Sequence, residues 1–181
     1  MTMTRPLIAC ATLLLAACVP ARPEPVPPPV SGPAPAPAPA SVPAPVIAPP
    51  SANWIDAPAT PGDWGYRATP GGSQALFGLG ETEAEFMIEC NRAAGRITLV
   101  RVDEASGPVP MQILTQTQSK ILTATPDGGD LPTVSAQLSA RDPLLDAMAI
   151  SKGRFAVEVS GMQTLYLPAW AEVTRVIEDC R

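Results

Sequence analysis

The reactive side chains of this sequence are few and poorly matched to one another. Two serines stand next to lysines, Ser119-Lys120 and Ser151-Lys152, and a Ser-Lys dyad needs the amine within reach of the hydroxyl. Neighbours on a strand point to opposite faces, so neither pair is a ready dyad, and both read as surface or turn residues. Glu81, Glu83, Glu85 and Glu89 form an acidic run. A calcium loop spaces its oxygen ligands around a central glycine, and this run lacks that pattern. Asp127-Gly128-Gly129-Asp130 carries two carboxylates but reads first as a turn. A carboxylate hydrolase using Asp103 and Glu104, or Asp127 and Asp130, would need those groups to meet further acids in space. The chain contains no histidine. That removes His-based triads, His-ligated metals and the side chain most used for proton transfer near neutral pH. Phosphate loops, Gly-x-Ser-x-Gly elbows and Cys/His pairings are missing as well. The expectation is a protein that is not an enzyme, with no catalytic residue, metal or cofactor.

Composition narrows the partners. From Ser51 onward the chain has 10 Lys/Arg against 16 Asp/Glu. Nucleic acid and anionic lipid surfaces both require a basic footprint, so neither is expected as a partner.

The N-terminus supplies an address. Arg5 precedes a mostly apolar run from Leu7 to Ala17. That run is shorter than the roughly 20 residues a membrane-spanning helix needs, and it ends in small residues, as a secretory signal does. Leu15-Ala16-Ala17-Cys18 resembles the bacterial lipobox, the cleavage site of signal peptidase II. The resemblance implies that residues 1–17 are removed and that Cys18 becomes the first residue, carrying a diacylglyceryl thioether and usually an acylated amine. Two or more acyl chains hold a protein firmly where one binds marginally. Val19, in place of the aspartate associated with inner-membrane retention in familiar lipoproteins, points to the outer membrane. Cys10 lies within the apolar run and would leave with the signal.

Residues 18–50 follow as a linker. Fourteen of the 24 prolines fall between Pro20 and Pro50. Proline at this density removes amide donors and fixes φ, which rules out helix and central strand. Solvated polyproline II is expected, reaching on the order of 90 Å for this length at about 3.1 Å per residue. It reads as a stand-off stalk, with a docking peptide for a proline-binding partner as the alternative.

Residues 51–181 carry the pattern of a folded domain. Trp54–Tyr66, WIDAPATPGDWGY, reads as a lead-in punctuated by Pro and Gly. Strands are then expected over 85–90, 96–102, 111–117, 120–125, 133–140, 153–160 and 163–167, separated by turn residues. Phe86, Ile88 and Cys90 share one face, as do Val134, Ala136 and Leu138, and Phe155, Val157 and Val159. Asp142-Pro143 reads as an N-cap with proline at the first helical position. A second helix is expected over 168–180, with Trp170, Val173, Ile177 and Cys180 as its apolar stripe. The fold class that follows is mainly β, an antiparallel sandwich or small barrel with a C-terminal helix.

With Cys10 and Cys18 assigned, Cys90 and Cys180 remain, and in an exported protein this pair should be oxidised to a disulfide. Trp54, Trp64 and Tyr66 are the one aromatic concentration. Exposed, they would form a stacking platform for glycan or peptide; buried, they would cover an open edge of the sheet, which is the expected arrangement.

Signal, lipobox, Pro/Ala stalk and compact β-rich domain together resemble small envelope lipoproteins of Gram-negative bacteria. The stretch SKGRFAVEVSGMQTLYLPAWAEVTRVIEDC is similar to the ending of alphaproteobacterial lipoproteins of unassigned role. A fainter similarity links the fold to exported β-sandwich proteins of the invasion-associated locus B type, with no motif to carry function. The expected role is a non-enzymatic binding or assembly module. It would be held in the membrane by the acyl chains on Cys18, at the outer membrane with its domain in the periplasm, and would meet another envelope protein or the cell wall. A carboxylate hydrolase and a structural or inhibitory lipoprotein are the alternatives.

Overall fold

A computed structural model describes residues 53–80 and 82–181. The signal, the lipobox with Cys18, the linker and Glu81 lie outside the described residues. Among those described, the alternation of apolar and polar positions resolves into nine strands and two short helices. The strands are β1 (Asp63–Thr69), β2 (Gly72–Gly78), β3 (Ala84–Asn91), β4 (Arg96–Val102), β5 (Val109–Leu114), β6 (Ser119–Pro126), β7 (Thr133–Ser139), β8 (Arg154–Val159) and β9 (Leu165–Pro168). The helices are α1 (Pro143–Ala149), between β7 and β8, and α2 (Ala171–Glu178) at the C-terminus. All pairings are antiparallel, and the strands form one curled half-barrel sheet in the order β1-β2-β3-β4-β7-β6-β5-β8-β9. The mainly β fold with a C-terminal helix is therefore observed.

The curl has a local origin in β6. Its first six residues pair with β5, whereas Thr125 and Pro126 pair with Ser135 and Val134 of β7. One strand thus serves two halves of the sheet, with buried Ala124 at the hand-over. The expected inward faces of β3, β7 and β8 are all buried. Cross-strand register stacks them in layers. One layer runs Tyr66, Ala75, Ile88, Leu99, Ala136, and the next runs Trp64, Phe77, Phe86, Arg101, Val134. The first layer mixes Ala75 and Ala136 with Ile88 and Leu99, and the second gathers the rings of Trp64, Phe77 and Phe86.

Sequence reasoning missed β1 and β2. Trp64 and Tyr66, placed in a lead-in, belong to β1, and the hairpin turns at Pro70-Gly71. Two features hide the pattern: Gly65 breaks the alternation in β1, and β2 is bounded by Gly72 and Gly78. Gly72 is required by close packing, since a Cβ there would collide with the Cys90 carbonyl of β3. The strand expected over 111–117 ends earlier, at Leu114. Thr115 turns the chain by bonding through its N–H and its hydroxyl to the Gln118 carbonyl, at 2.9 and 2.8 Å.

Asp142 caps α1 as expected, its Oδ1 accepting from the Leu144 N–H at 3.0 Å. Its Oδ2 also meets Lys120 Nζ at 2.5 Å. Burial alone would raise the Asp142 carboxyl, but the Lys120 ammonium and the Leu144 N–H together hold it below its ordinary value. The stripe expected on α2 needs one correction. Val173, Val176, Ile177 and Cys180 are buried, whereas Trp170 is 46% exposed. Trp170 is the N-cap, with extended φ and ψ of −90° and 175°, so its side chain does not follow the helical register.

Helix α2 packs on β1, β2, β3 and α1, and the Cys90–Cys180 disulfide fixes its end to β3. The bond closes a loop of 90 residues, for which chain entropy gives an upper figure of roughly 4–5 kcal/mol. Reduction, or Cys90→Ala with Cys180→Ala, is expected to lower unfolding free energy by about 2–4 kcal/mol, read as a fall in the urea midpoint. An unchanged midpoint would mean that α2 is held by packing alone.

Candidate functional site

The outer surface of the β1–β2 hairpin carries two glycines, of which Gly65 is exposed and Gly78 is buried. On the outward face Gly65 lies opposite Leu76, and Asp63 lies opposite Gly78. Beyond β2 the chain continues as Leu79-Gly80, and Leu79 is 70% exposed. These residues border an open groove of about 390 Å³. All five residues from Asp63 to Arg67 line it, although Trp64 and Tyr66 point inward. The groove therefore reaches the backbone of β1 as well as its outward side chains. Leu76 and Leu79 supply apolar contact, with Asp63 and Arg67 as opposite charges along the strand.

A polar row continues across the outer face. Arg67 Nε donates to Gln74 Oε1 at 3.0 Å, and Gln74 Nε2 donates to Glu89 Oε1 at 2.7 Å. Burial pushes the Glu89 carboxyl above its ordinary value and Asp127 adds to the rise, while the Gln74 hydrogen bond opposes it. Asp127 is itself committed elsewhere, accepting from Thr133 Oγ1 at 2.9 Å and Ser135 Oγ at 2.6 Å. It braces the turn before β7.

The three aromatic residues are not placed alike. Trp64 is a core residue, its ring centroid 5.4 Å from that of Phe77 and 6.4 Å from that of Phe86. Its indole N–H donates to the Pro168 carbonyl of β9 at 2.8 Å. Burial is thus the observed arrangement for Trp64, because the ring fills the space between the two ends of the sheet. Tyr66 is half-buried; its hydroxyl donates to Asp179 Oδ2 at 2.5 Å, and the Arg175 guanidinium carbon lies 3.8 Å from its ring centroid. Trp54 is half-buried in the turn that precedes the sheet.

The other candidates resolve into structural roles. Buried Ser151 donates to the Arg154 carbonyl at 2.6 Å, Lys120 is paired with Asp142, and Asp103 binds the Glu104 N–H at 2.8 Å. No group of three or more His, Cys, Asp or Glu residues placed to hold a metal ion occurs among the described residues. Leu79 was overlooked in the sequence, and its signal there is an apolar residue between two glycines.

No protein-family model matches the chain, nor does any curated protein or solved structure, so the site is read from its own residues.

Two carboxylates near the hairpin titrate in opposite senses. The Tyr66 hydroxyl first and Ser73 second, with Arg175 and Arg92 adding to them against the effect of burial, hold the Asp179 carboxyl below its ordinary value. A depressed carboxyl stabilises the fold above the unfolded pKa of about 3.9 and loses that contribution as pH falls through the folded value. Tyr66→Phe should therefore lower stability by about 1 kcal/mol at pH 7, with the gap to wild type closing below about pH 4. Glu89, being raised, weakens the fold as pH rises above the unfolded value of about 4.3. Glu89→Gln should raise the urea midpoint at pH 7 and leave it unchanged below about pH 4. Urea unfolding at pH 7 and pH 3.5 checks both, and pH-independent differences would contradict these assignments.

Proposed function

We propose that the chain is a lipid-anchored envelope protein of the outer membrane whose domain is a non-enzymatic binding and assembly module. The observation that carries this reading is the open β1–β2 groove, where Leu79 stands 70% exposed beside main chain left bare by glycine. An apolar side chain held out in water beside uncovered backbone favours a macromolecular contact over a small-molecule pocket, which would enclose most of its ligand. The lipobox at Leu15–Cys18 and the proline tract behind it support the anchoring half of the proposal. Cys18 attaches the protein to the membrane, and the tract gives the groove reach into the periplasm. The partner class is another envelope protein or a cell-wall component.

Two measurements separate the halves. Cys18→Ala should abolish palmitate incorporation, and continued labelling would sink the anchor. A photocrosslinking amino acid at position 79, in cells, should yield one dominant adduct, reduced at least about tenfold by Gly65→Trp placed in the groove. Adducts unaffected by Gly65→Trp would place the contact elsewhere.

A further inference from the structure

The sheet has two terminal strands, and the molecule treats them differently. The free side of β9 is covered by the segment preceding β1. The Thr60 N–H donates to the Tyr166 carbonyl at 3.0 Å, and the Tyr166 N–H donates to Thr60 Oγ1 at 2.9 Å. Ala57, nearer the start of the same segment, receives a hydrogen bond from Arg154 Nη1. That segment ends at Gly62, whose φ of +136° and tight approach to the Gly78 carbonyl carbon turn the chain into β1.

β1 receives no such cover. It pairs with β2 alone, and among the described residues no backbone hydrogen bond leads from Asp63–Thr69 to any other segment. Antiparallel pairing turns the N–H and C=O of every second residue away from the partner strand. Every second residue of the seven in β1 therefore presents main-chain donors and acceptors on the side away from β2. Folded proteins blunt such edges with proline, lysine, bulges or a covering loop, because a bare edge templates another strand. β1 contains no proline and no lysine, and its register with β2 runs without a break from Asp63 to Thr69. Gly65, Arg67 and Ala68 are exposed, whereas Trp64, bonded to Pro168 of β9, is buried.

From this asymmetry we infer that β1 is a strand-addition site and that the partner of the proposed module binds as an extended polypeptide segment hydrogen-bonded along Gly65–Thr69, beyond the point where Trp64 bridges to β9. The inference rests on the binding-module reading and names the chemistry of its ligand. The groove supplies what strand addition needs besides main chain. Alternate side chains of an added strand point to one face, and on the outer face they would meet Leu76, Leu79 and the Arg67 guanidinium, all lining the groove. An apolar residue followed two positions on by an acidic one matches that face. Affinity comes from the backbone and selectivity from the side-chain contacts, as in other strand-addition modes.

The test uses the lipidated full chain in detergent with two synthetic peptides. The first is a capped heptapeptide of alternating valine and threonine with one glutamate on the valine face. The second is its twin, N-methylated on alternate amides, which keeps the side chains and removes the donors along one edge. The unmodified peptide should slow hydrogen exchange of the outward-facing amides of β1, and its twin should bind at least about tenfold more weakly. Equal binding of the two would overturn strand addition while leaving a side-chain groove and the module reading in place. Failure of both peptides to bind, with the position-79 adduct still formed in cells, would likewise refute strand addition alone. Protection of β1 amides that rises with protein concentration in the absence of peptide would replace the partner segment by a second copy of this chain.

Discussion

Trp64 sets the distance between the two ends of the sheet, and much of the domain follows from that distance. Its ring sits among Phe77, Phe86 and Phe155, contributed by β2, β3 and β8. Its N–H reaches the last carbonyl of β9. The backbone ladder among the described residues does not join β1 to β9, so a side chain bridges the gap that hydrogen bonding leaves. A buried indole needs a partner for its N–H, and Pro168 offers a carbonyl that the sheet does not use. With β9 ending at that point, α2 starts beside it and runs across β1, β2 and β3. Cys180 then arrives at Cys90. The position of one indole thus constrains where the terminal helix can lie and which cysteines can meet.

The same aromatic layer contains a charge, and the backbone bends to accommodate it. Arg101 is 5% exposed and faces inward between Phe86 and Val134. Burial lowers the pKa of its guanidinium, opposed by the carboxylates of Glu85 and Asp103. A buried cation without acceptors would be costly. Register between β2 and β3 slips after Phe77, where Gly78 pairs with Ala84 while Phe77 pairs with Phe86. Glu85 is left without an opposite residue on β2, and its carbonyl accepts from Arg101 Nη1 at 2.9 Å. The bulge and the buried arginine therefore support each other. A glycine at position 78 lets the chain make the slip, since a Cβ there would run into the Glu83 backbone.

How far the sequence was legible depended on whether a residue's role was local. Strands β3, β4, β7 and β8 announce themselves by period-two alternation, and Asp142-Pro143 marks a helix start wherever it occurs, because these signals depend on neighbours a few residues away. The oxidised pair Cys90–Cys180 was reachable by counting. What escaped was set by distant contacts. Trp170 keeps helical spacing with Val173 and Ile177, yet the helix begins one residue later and leaves it outside. Asp127 looks paired with Asp130 in sequence but binds the hydroxyls of Thr133 and Ser135 across the turn. Strands β1 and β2 are rich in glycine, whose value lies in close approach to other strands rather than in alternation. The groove inherits that obscurity, because its floor is the absence of side chains at Gly65 and Gly78, and absence leaves no periodicity to read.

The interior of the curled sheet is filled by its own side chains. Phe77, Phe86, Ile88 and Leu99 fill it from β2, β3 and β4, and Phe155, Val157, Leu165 and Leu167 close the other side, all fully buried. The two edges of the sheet are not equivalent. Covering β9 requires a segment that runs beside it and then reverses at Gly62 to become β1. That route makes the cover of one edge the origin of the other, and among the described residues β1 has β2 as its one strand partner. Placing Gly65 in the open strand and Leu79 in the loop beside it turns this topological remainder into a surface with both backbone groups and apolar contact to offer.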